Sequence, residues 1–428
     1  MSERVPPEGR EEFVRRSDRE GNAESARLNG SVSGTRRTRL ALVVSHPIQY
    51  YAPLYQRLAR REDLEIRVFF TWHAGETGVL DRGFGEHFAW DIPLTSGYEF
   101  EVVANSASSP GTHHFLGLRN PSLLERVTGW GPDVVHVTGW AWWSHVRLLR
   151  DLHRRKVPVL FRGDSHLLDS SRSGLRWWLK RLLLARIYSW PSVMLYVGQA
   201  NRRYYEAFRV GEERLRYCPH SVDVGRFSNP SDDLEREAAD WRRALEVPES
   251  ANVLLFAGKF ERKKQPLELM RAVLEQSGEK MVLIMVGGGE LGPEVHRLAA
   301  SDPGLFRLLP FQNQSRMPVV YRLCDLFVLP SAFGETWGLA VNEAMASGRP
   351  VLVSDRVGCG EDVVDDTCGE ILPWRDMNRM IAAARRIVGD RERLRTISSG
   401  AARRAWSFDI SLTESATAQA ALSLGTQW

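Results

Sequence analysis

Residues 326–350 read LFVLPSAFGETWGLAVNEAMASGRP, and this stretch decides the fold of the C-terminal half of the chain. Its first four residues are all apolar, as in a strand that is buried in a parallel sheet. Gly338 then lets the backbone approach a ligand closely, and a helical pattern follows as far as Ala346. Free amides at Trp337, Gly338 and Leu339 would face an anion, which the helix dipole favours. The pattern therefore predicts a strand, a ligand-binding loop and a helix.

The same alternation of strand and helix extends in both directions from this stretch. Short apolar runs separated by helical patterns predict parallel strands. The runs cover 39–45, 64–70, 133–137, 157–161 and 193–197 in the first half, and 253–257, 281–286, 305–309, 326–329 and 351–353 in the second. The clearest helices of the second series are 267–276 and 338–346. Two such series predict an α/β protein with two Rossmann-like, doubly wound domains, each with its own sheet.

The length of the chain, 428 residues, fits two domains of ordinary size. Residues 1–38 are polar and poor in large apolar side chains, which predicts a disordered N-terminal segment. Residues 215–218 begin the segment that leaves the first half. The predicted boundaries are 39–227 for the N-terminal domain, 228–250 for a helical linker region, 251–405 for the C-terminal domain, and 406–428 for a segment expected to pack as a helix against the N-terminal domain.

Composition and the absence of certain motifs argue against several classes of protein. A net charge of +4 argues against nucleic acid as a partner, because nucleic-acid binders usually carry a denser basic patch. The four cysteines form no CxxC pair and no His cluster accompanies them, so we predict no metal site and reduced thiols in a cytoplasmic compartment. The chain shows no signal-peptide core and no apolar run of membrane-spanning length. No GxGxxG follows the first strand, which disfavours a dehydrogenase.

A second motif, FAGKFERKKQP at residues 256–266, lies between a predicted strand and a predicted helix. Its three lysines, Lys259, Lys263 and Lys264, would cluster where the carboxyl edge of a parallel sheet meets a crevice. Fixed cations at that edge could offset the charge of a departing diphosphate, whereas the motif taken alone is equally typical of a solvated basic turn.

Two further loops follow predicted strands of the second series. VGGGE at 286–290 contains Gly287 and Gly288, which permit a tight turn and a close approach to a ligand, although a plain loop is an alternative. LPFQNQ at 309–314 follows the next strand. Gly358, Gly360 and Glu361, in VGCGEDVV at 357–364, could serve packing or binding.

Glu335 and Glu343 are the acidic pair of the first motif, and their carboxylates could bind a sugar and a ribose diol. The phrase around them resembles that of the retaining GT-B glycosyltransferases of family four, E-x-F-G-L-x-x-x-E-A-M-A-x-G-x-P-V. Trp337 replaces the usual Phe of this phrase. The basic motif resembles the family's G-R-L-x-x-x-K-G, with Lys259 for Arg and Gln265 for Gly, which leaves the register of its two central lysines open.

The resemblance implies two facing Rossmann-like domains with a central cleft, and a nucleotide diphosphate sugar bound mainly by the C-terminal domain. It implies transfer with retention and without a metal or cofactor. The implied catalytic residues are Glu335, Lys264 and Lys259. The implied donor-binding residues are Gly258, Lys263, Gly287, Gly288, Phe311, Gln312, Gly334, Trp337, Gly338, Leu339 and Glu343.

The N-terminal half should hold the acceptor, because polar side chains follow three of its predicted strands. His46 follows the first strand, and His136, Thr138 and Trp140 lie at the end of another. Arg162, Asp164 and His166 follow a third strand. Many members of the family carry a His where this chain has Thr138. Asp164 and His166 are therefore the alternative candidates for orienting the acceptor hydroxyl, and the candidate set is His46, Thr138, Asp164 and His166.

Residues 173–190, SGLRWWLKRLLLARIYSW, predict a basic helix rich in Leu and Trp. Such a composition is typical of a helix lying in a membrane interface, although a half-buried helix of the domain is an equal alternative. We therefore expect a cytoplasmic enzyme with peripheral contact at the inner face of the membrane. Its acceptor would be a glycan, a lipid-linked sugar or a small molecule. A nucleotide-sugar epimerase of the same fold and a non-catalytic nucleotide-sugar-binding protein remain the alternative functions.

Overall fold

The computed structural model describes residues 36–73, 79–81, 86–169, 173–229, 232–276 and 281–425. The predicted disordered segment 1–38 therefore lies almost wholly outside the described residues. From Thr38 to Gly425 the chain alternates strands and helices in two successive series, with a parallel sheet in each.

The first series builds the N-terminal domain. Its strands are β1 (Thr38–Val44), β2 (Leu64–Phe70), β3 (Val79–Asp81), β4 (Glu86–Phe88), β5 (Phe100–Val102), β6 (Val134–Thr138), β7 (Val159–Arg162), β8 (Val193–Tyr196) and β9 (Leu215–Tyr217). Its helices are α1 (Ala52–Ala59), α2 (Leu123–Gly129), α3 (Trp143–Arg154), α4 (Gly174–Tyr188) and α5 (Gln199–Ala207). Two further helices, α6 (Val224–Ser228) and α7 (Asp232–Ala244), follow this series and pack in the core of the second domain.

The second series builds the C-terminal domain. Its strands are β10 (Asn252–Ala257), β11 (Met281–Val286), β12 (Phe306–Leu309), β13 (Leu326–Leu329), β14 (Val351–Ser354) and β15 (Gly369–Leu372). Its helices are α8 (Pro266–Gln276), α9 (Gly292–Ser301), α10 (Met317–Arg322), α11 (Leu339–Ala346), α12 (Gly360–Val363), α13 (Met377–Gly389) and α14 (Arg391–Ala405). The last helix of the chain is α15 (Ile410–Gly425). Short 3₁₀ turns cover Phe115–Gly117, Glu212–Arg214, Arg262–Lys264, Gln314–Arg316 and Trp406–Phe408.

Both sheets are parallel and doubly wound. The first sheet has the order β5-β2-β1-β6-β7-β8-β9 and the second the order β12-β11-β10-β13-β14-β15. In each sheet the chain first builds outward in one direction and then returns to the other side of its starting strand, which creates a switch point beside β1 and beside β10. Ligands of open α/β sheets bind outside the carboxyl ends of the strands at this point.

Helices cover both faces of each sheet, so the strands are buried and almost continuously apolar. Leu254 and Phe256 of β10 face one core of the C-terminal domain, and Val253 and Leu255 face the other. The N-terminal sheet divides its side chains in the same way. This two-sided burial explains why apolar runs rather than alternating patterns reveal the strands.

The chain path at residues 215–218 differs from the prediction, and the path of the final helix can be described in detail. Residues 215–218 do not leave the first half, because Leu215–Tyr217 pairs with β8 as the edge strand of its sheet. The final helix, α15, returns to the N-terminal domain and packs on α1 and β1. There Glu414 of this helix forms an ion pair with Arg61 at 3.1 Å.

Candidate functional site

The candidate site begins at the switch point of the C-terminal sheet, where the basic loop after β10 meets the acidic loop after β13. The amide of Ala332 donates to the carbonyl of Lys263 at 2.7 Å and joins the two loops. Gln265 adopts a left-handed backbone, with φ of 53°, and its side-chain amide donates to the carbonyl of Pro330 at 2.7 Å. The left-handed conformation is one that Gly adopts most easily, which explains Gly in the resembling family.

This arrangement decides the register of the two central lysines. Lys264 places its ammonium nitrogen 2.9 Å from Oε2 of Glu335, with both side chains about 15 % exposed. Lys263 pairs instead with Glu261 at 3.1 Å. Lys264 is therefore the lysine that the fold aims at the acidic loop.

Glu335 lies in the loop, as its position before α11 predicts, and its carboxylate also accepts from the Ser331 hydroxyl at 3.2 Å. Burial alone would raise the pKa of Glu335, but the ammonium group of Lys264 outweighs it and holds the pKa below its ordinary value. The carboxylate is therefore ionised at neutral pH and can accept hydrogen bonds from sugar hydroxyls.

The helix after this loop, α11, presents unsatisfied amides to the same space. Gly338 precedes it with a φ of 96°, and a Cβ at this position would lie 3.0 Å from the Val357 side chain. In the described part of the chain, no acceptor satisfies the amides of Gly338, Leu339 and Ala340. A helix start of this kind is suited to binding an anion.

Glu343 follows on α11 and faces the interior of the domain. Its Oε2 accepts a hydrogen bond from the Tyr321 hydroxyl at 2.6 Å. Burial raises the pKa of Glu343 above its ordinary range. The second oxygen of this carboxylate is the acceptor that could meet a ribose diol.

Glycines allow the backbone of the next loop to approach closely. A Cβ on Gly287 would lie 2.0 Å from the carbonyl oxygen of Gly258, so the loops after β10 and β11 touch through their main chains. The Gly288 carbonyl accepts a hydrogen bond from the amide of Phe260 at 2.7 Å, so this carbonyl is engaged within the protein. Lys259 lies half-buried between these glycines.

The remaining predicted donor-binding residues lie around this crevice with different exposures. Phe311 is half-buried, and its ring lies 6.2 Å from that of Trp90 of the N-terminal domain. Gln312 donates to the carbonyl of Pro310 at 3.2 Å. The side chain of Trp337 is buried between His220 and Phe408 and donates to Asn342 at 2.9 Å, so only its backbone can face a ligand.

The N-terminal domain reaches the acidic loop through Asp164. Its carboxylate accepts from the Thr336 hydroxyl at 3.0 Å and lies 3.9 Å from Nε2 of His220. Burial opposes ionisation of Asp164, but the nearby His220 imidazole and the hydrogen bond from Thr336 lower its pKa to about 2. His166 lies beside it, with Nε2 3.2 Å from the carbonyl oxygen of Glu335. The fold therefore brings two of the four acceptor-side candidates to Glu335.

The other two acceptor-side candidates lie apart from this pair. His46 sits at the end of β1, with Nδ1 2.9 Å from the Ser45 hydroxyl, and burial lowers its pKa to about 4. Thr138 ends β6, and its carbonyl receives a hydrogen bond at 3.0 Å from His145, a buried residue that the sequence reading did not single out. Among the described residues, no hydrogen bond or ion pair joins the side chain of His46 or Thr138 to Asp164.

Two side chains that the sequence placed at the crevice edge are instead buried in the domain. His136 lies within β6 rather than at its end, is 3 % exposed, and burial lowers its pKa to about 3. Arg162, also buried, donates to the carbonyls of Cys218 and Pro219. Arg162 ends β7 instead of following it, and His136 lies at the middle of β6, where helices cover both faces of the sheet.

Contacts across the cleft were not predicted from the sequence. Asp169 accepts from the amide of Gly334 at 2.7 Å, and the carboxylate of Asp362 accepts from the amide of Gln199 at 3.0 Å. Neither carboxylate was singled out from the sequence, although Asp362 lies within the segment 357–364, and only the fold brings each acid to its partner amide. The two domains are therefore held in contact around the acidic loop.

The described residues contain no group of three His, Cys, Asp or Glu side chains arranged to hold a metal ion. The charged groups at the crevice are instead Lys264, Lys263 and Lys259 with Glu335 and Glu343. This set can bind an anionic group through ammonium ions and amides, and hydroxyl groups through carboxylates.

Residues 237–404 match the family described as glycosyl transferases group 1. Over 218 residues the chain is 33 % identical to D-inositol 3-phosphate glycosyltransferase 2 of Catenulispora acidiphila, covering 46 % of this chain and 51 % of the relative. It is 31 % identical over 208 residues to D-inositol 3-phosphate glycosyltransferase of Salinispora tropica, covering 46 % and 43 %. The chain thus matches about half the length of these curated relatives.

Solved structures resemble nearly the whole chain. Sucrose-phosphate synthase of Thermosynechococcus elongatus superposes with a TM-score of 0.68 at 19 % identity, covering 92 % of this chain and all of that one. Anabaena HepE in complex with UDP and glucose gives 0.68 at 16 % identity, covering 90 % of this chain and all of that one. At such identities the likeness concerns the fold, and the chain has the GT-B fold of two facing Rossmann-like domains.

Proposed function

We propose that the protein is a glycosyltransferase that moves a sugar from a nucleotide diphosphate sugar to an acceptor hydroxyl with retention of anomeric configuration. The observation that carries the proposal is the Lys264–Glu335 ion pair beside the unsatisfied amides at the start of α11. Cations and amides suit a diphosphate, and the neighbouring carboxylate suits the sugar attached to it. The match of residues 237–404 to glycosyl transferases group 1 supports this assignment.

The proposed chemistry follows from where charge develops. As the bond between sugar and diphosphate breaks, negative charge grows on the leaving phosphate, and Lys264, Lys259 and the amides near Gly338 stabilise it. Glu335 holds the donor sugar and Glu343 the ribose. The acceptor hydroxyl, oriented by Asp164 or His166, approaches from the face that the diphosphate leaves. Its oxygen bonds to the anomeric carbon as the bond to the diphosphate breaks, and its proton passes to the departing phosphate oxygen, with no metal or cofactor taking part.

Closure of the domains is the second element of the proposal. Asp164 touches Thr336, and His166 touches the backbone of Glu335, so groups of the N-terminal domain reach the donor loop directly. Closure that excludes water would protect the donor from hydrolysis before an acceptor arrives.

Relatives guide the choice of substrates to test. The curated relatives are named for transfer to D-inositol 3-phosphate, and HepE has been solved with UDP and with UDP-glucose. A uridine diphosphate sugar and a polyol acceptor are therefore the first pair to examine. We place the activity in the synthesis of a glycan, glycolipid or glycoconjugate by a family-four enzyme. The cytoplasm is the proposed location, since all four cysteines are free thiols and buried.

Two measurements test the function. A panel of nucleotide diphosphates should raise the melting temperature for one preferred base, because a ligand that binds only the folded state stabilises it. Incubation with the matching nucleotide sugar and candidate acceptors should then release nucleotide diphosphate and give a product with the donor's anomeric configuration by NMR. Absence of any nucleotide-dependent stabilisation would contradict the proposal, and donor conversion without an acceptor would identify an epimerase instead.

A further inference from the structure

Helix α4 carries an apolar surface on the side that faces away from the domain. Its buried side, formed by Leu184, Ile187 and Tyr188, packs on the core of the N-terminal domain. On the opposite side, five large apolar side chains are between 42 % and 71 % exposed: Leu175, Trp178, Leu179, Leu182 and Leu183. A helix with apolar residues on both sides is unusual at a protein surface in water and indicates a partner for the outer side.

The charges of this helix identify the partner. Gly174–Tyr188 contains four cations, Arg176, Lys180, Arg181 and Arg186, and no acidic residue. At the end of the neighbouring helix α3, which packs beside α4, a second basic group is exposed: His153, Arg154, Arg155 and Lys156. Both helices run antiparallel to the strands of one parallel sheet, so this basic group lies at the same end as Arg186.

We propose that α4 docks on the surface of an anionic lipid bilayer, with its five exposed apolar side chains in the interface and the surrounding cations against lipid phosphates. Leu and Trp side chains beside Lys and Arg are the composition that such a position requires. None of the helices in the described residues is long and apolar enough to cross a membrane, so the contact is peripheral.

The size of the surface favours a bilayer over a second copy of the chain. A helix of 15 residues is about 22 Å long and about 10 Å wide, so its outer side offers only a few hundred Å². A stable protein interface buries about 800 Å² on each partner. The one-sided charge is also self-repelling in a two-fold dimer, where the same basic patch would face itself.

The position of α4 connects this surface to the proposed reaction. The helix begins at Gly174, a few residues after Asp169, whose carboxylate accepts from Gly334 of the donor loop. The start of α4 therefore lies at the end of the domain that bears the cleft, and a bilayer bound along α4 would border that end. This placement identifies the acceptor class as a lipid-linked hydroxyl compound presented at the membrane surface. That identification rests on the proposed function.

Vesicle flotation of the full chain, without nucleotide, tests the docking surface. Wild-type protein should float with vesicles of equimolar phosphatidylcholine and phosphatidylglycerol and bind vesicles of phosphatidylcholine alone more weakly. The double variant Trp178→Gln with Leu183→Gln should lose at least about tenfold in apparent affinity for the anionic vesicles. Trp406→Gln is the matched control, because Trp406 is 54 % exposed and Trp178 is 55 % exposed; it should bind like the wild type.

A charge variant separates lipid from other partners. Lys180→Glu should weaken binding to anionic vesicles severalfold and leave binding to neutral vesicles unchanged, and high salt should have the same effect on the wild type. Lack of wild-type binding to anionic vesicles would overturn the proposal, as would equal binding by the double variant. A dimer in gel filtration that the double variant dissociates would also overturn it, in favour of a second copy.

The outcome is independent of the proposed transfer reaction. Stabilisation by nucleotide diphosphates should be the same in the double variant as in the wild type, because α4 lies outside the donor crevice. Vesicle binding without any nucleotide effect would uphold the membrane surface while rejecting the glycosyltransferase. Nucleotide binding without vesicle binding would uphold the glycosyltransferase and reject the membrane surface.

Discussion

The ammonium group of Lys264 and the carboxylate of Glu335 lie 2.9 Å apart although they belong to different loops, one after β10 and one after β13. These two strands flank the switch point of the C-terminal sheet, so the fold itself brings the loops together. The pair is largely buried, and each charge depends on the other for compensation. A ligand phosphate that attracts Lys264 would therefore enter a site where the cation is already fixed.

Replacing Lys264 by Met should abolish transfer and destabilise the protein. Without its cation the buried carboxylate of Glu335 is uncompensated at neutral pH, which should cost roughly 3 kcal/mol of unfolding free energy. The pKa of Glu335 lies below its ordinary value in the wild type, so its stabilising contribution is present at neutral pH and is lost as the pH falls through that lowered pKa. Urea denaturation near neutral pH and under acid conditions should show the difference between wild type and variant shrinking in acid.

Arg297→Met is the control for this loss of charge. Arg297 is 75 % exposed and pairs with Glu294 on the surface of α9, where an ion pair is worth little. The control should change the unfolding free energy by less than about 0.5 kcal/mol and leave transfer unaffected. A pH-independent loss in Lys264→Met would contradict the assigned pairing with Glu335.

Glu343 should recognise the ribose of the donor. Hydrogen bonds that involve a charged group contribute about 1.5–3 kcal/mol, so loss of the carboxylate in Glu343→Ala should weaken binding of the preferred nucleotide diphosphate about tenfold or more. The same variant should bind the 2′,3′-dideoxy nucleotide as the wild type does, because that ligand has no diol to lose. Isothermal titration of both ligands measures this, with Glu294→Ala as the surface control. Equal losses for both ligands would assign Glu343 to structure through its bond to Tyr321.

Gly358 should be intolerant of a side chain because it supports the acidic loop. A Cβ at this position would lie 1.9 Å from the carbonyl oxygen of Thr336, the residue after Glu335. Gly358→Ala must displace that loop, at about 1–3 kcal/mol of stability. Because a misplacement of about 1 Å can lower a rate about a hundredfold, transfer should fall at least about tenfold.

The matched control is Gly389→Ala at the end of α13. No atom lies within 4 Å of a Cβ added there, and Ala has the higher helix propensity. Thermal melting and initial-rate assays should show this variant at least as stable and as active as the wild type. Similar behaviour of both alanine variants would mean that the acidic loop tolerates displacement.

The strands were readily predicted from the sequence because burial on two sides leaves a continuous apolar signature. LEIRVFF and MVLIMV coincide with β2 and β11 to the residue. Edge strands carry less of this signature. Leu215–Tyr217 has a charged residue at its centre and is paired on one side only, and the three residues of β5 are largely exposed.

The site was predicted in part, and the limit is physical. Lys264, Glu335 and Glu343 lie within motifs whose chemistry and position after a strand are readable along the chain. Asp169 and Asp362 are single acids whose partners, backbone amides of the other domain, are 165 and 163 residues away in sequence. No local pattern encodes such a contact. His136 was misassigned because it lies at the middle of a strand whose sheet is covered by helices on both faces, so its side chain is buried on whichever face it occupies.

Asp164 should act on the acceptor rather than on the donor. Its carboxylate is ionised at any ordinary assay pH, since the nearby His220 imidazole and the hydrogen bond from Thr336 outweigh burial and lower its pKa to about 2. We expect Asp164→Asn to reduce the transfer rate at saturating donor about ten- to a hundredfold, because a neutral amide is a weaker hydrogen-bond acceptor for the attacking hydroxyl than a carboxylate. Nucleotide diphosphate binding should change less than about twofold, since Asp164 belongs to the opposite domain.

Thr336→Val provides the comparison that distinguishes orientation of an acceptor from closure of the cleft. This variant removes the hydroxyl that donates to Asp164 at 3.0 Å and leaves the carboxylate in place. If Asp164 orients the acceptor, Thr336→Val should retain most of the transfer rate while Asp164→Asn loses it. If both variants lose the rate equally and both show an expanded radius of gyration by X-ray scattering, Asp164 serves only to hold the domains together. The amide oxygen introduced by Asp164→Asn can still accept from Thr336, whereas Thr336→Val removes the donor. A rate that is lost only in Asp164→Asn therefore reports on the carboxylate and not on this hydrogen bond.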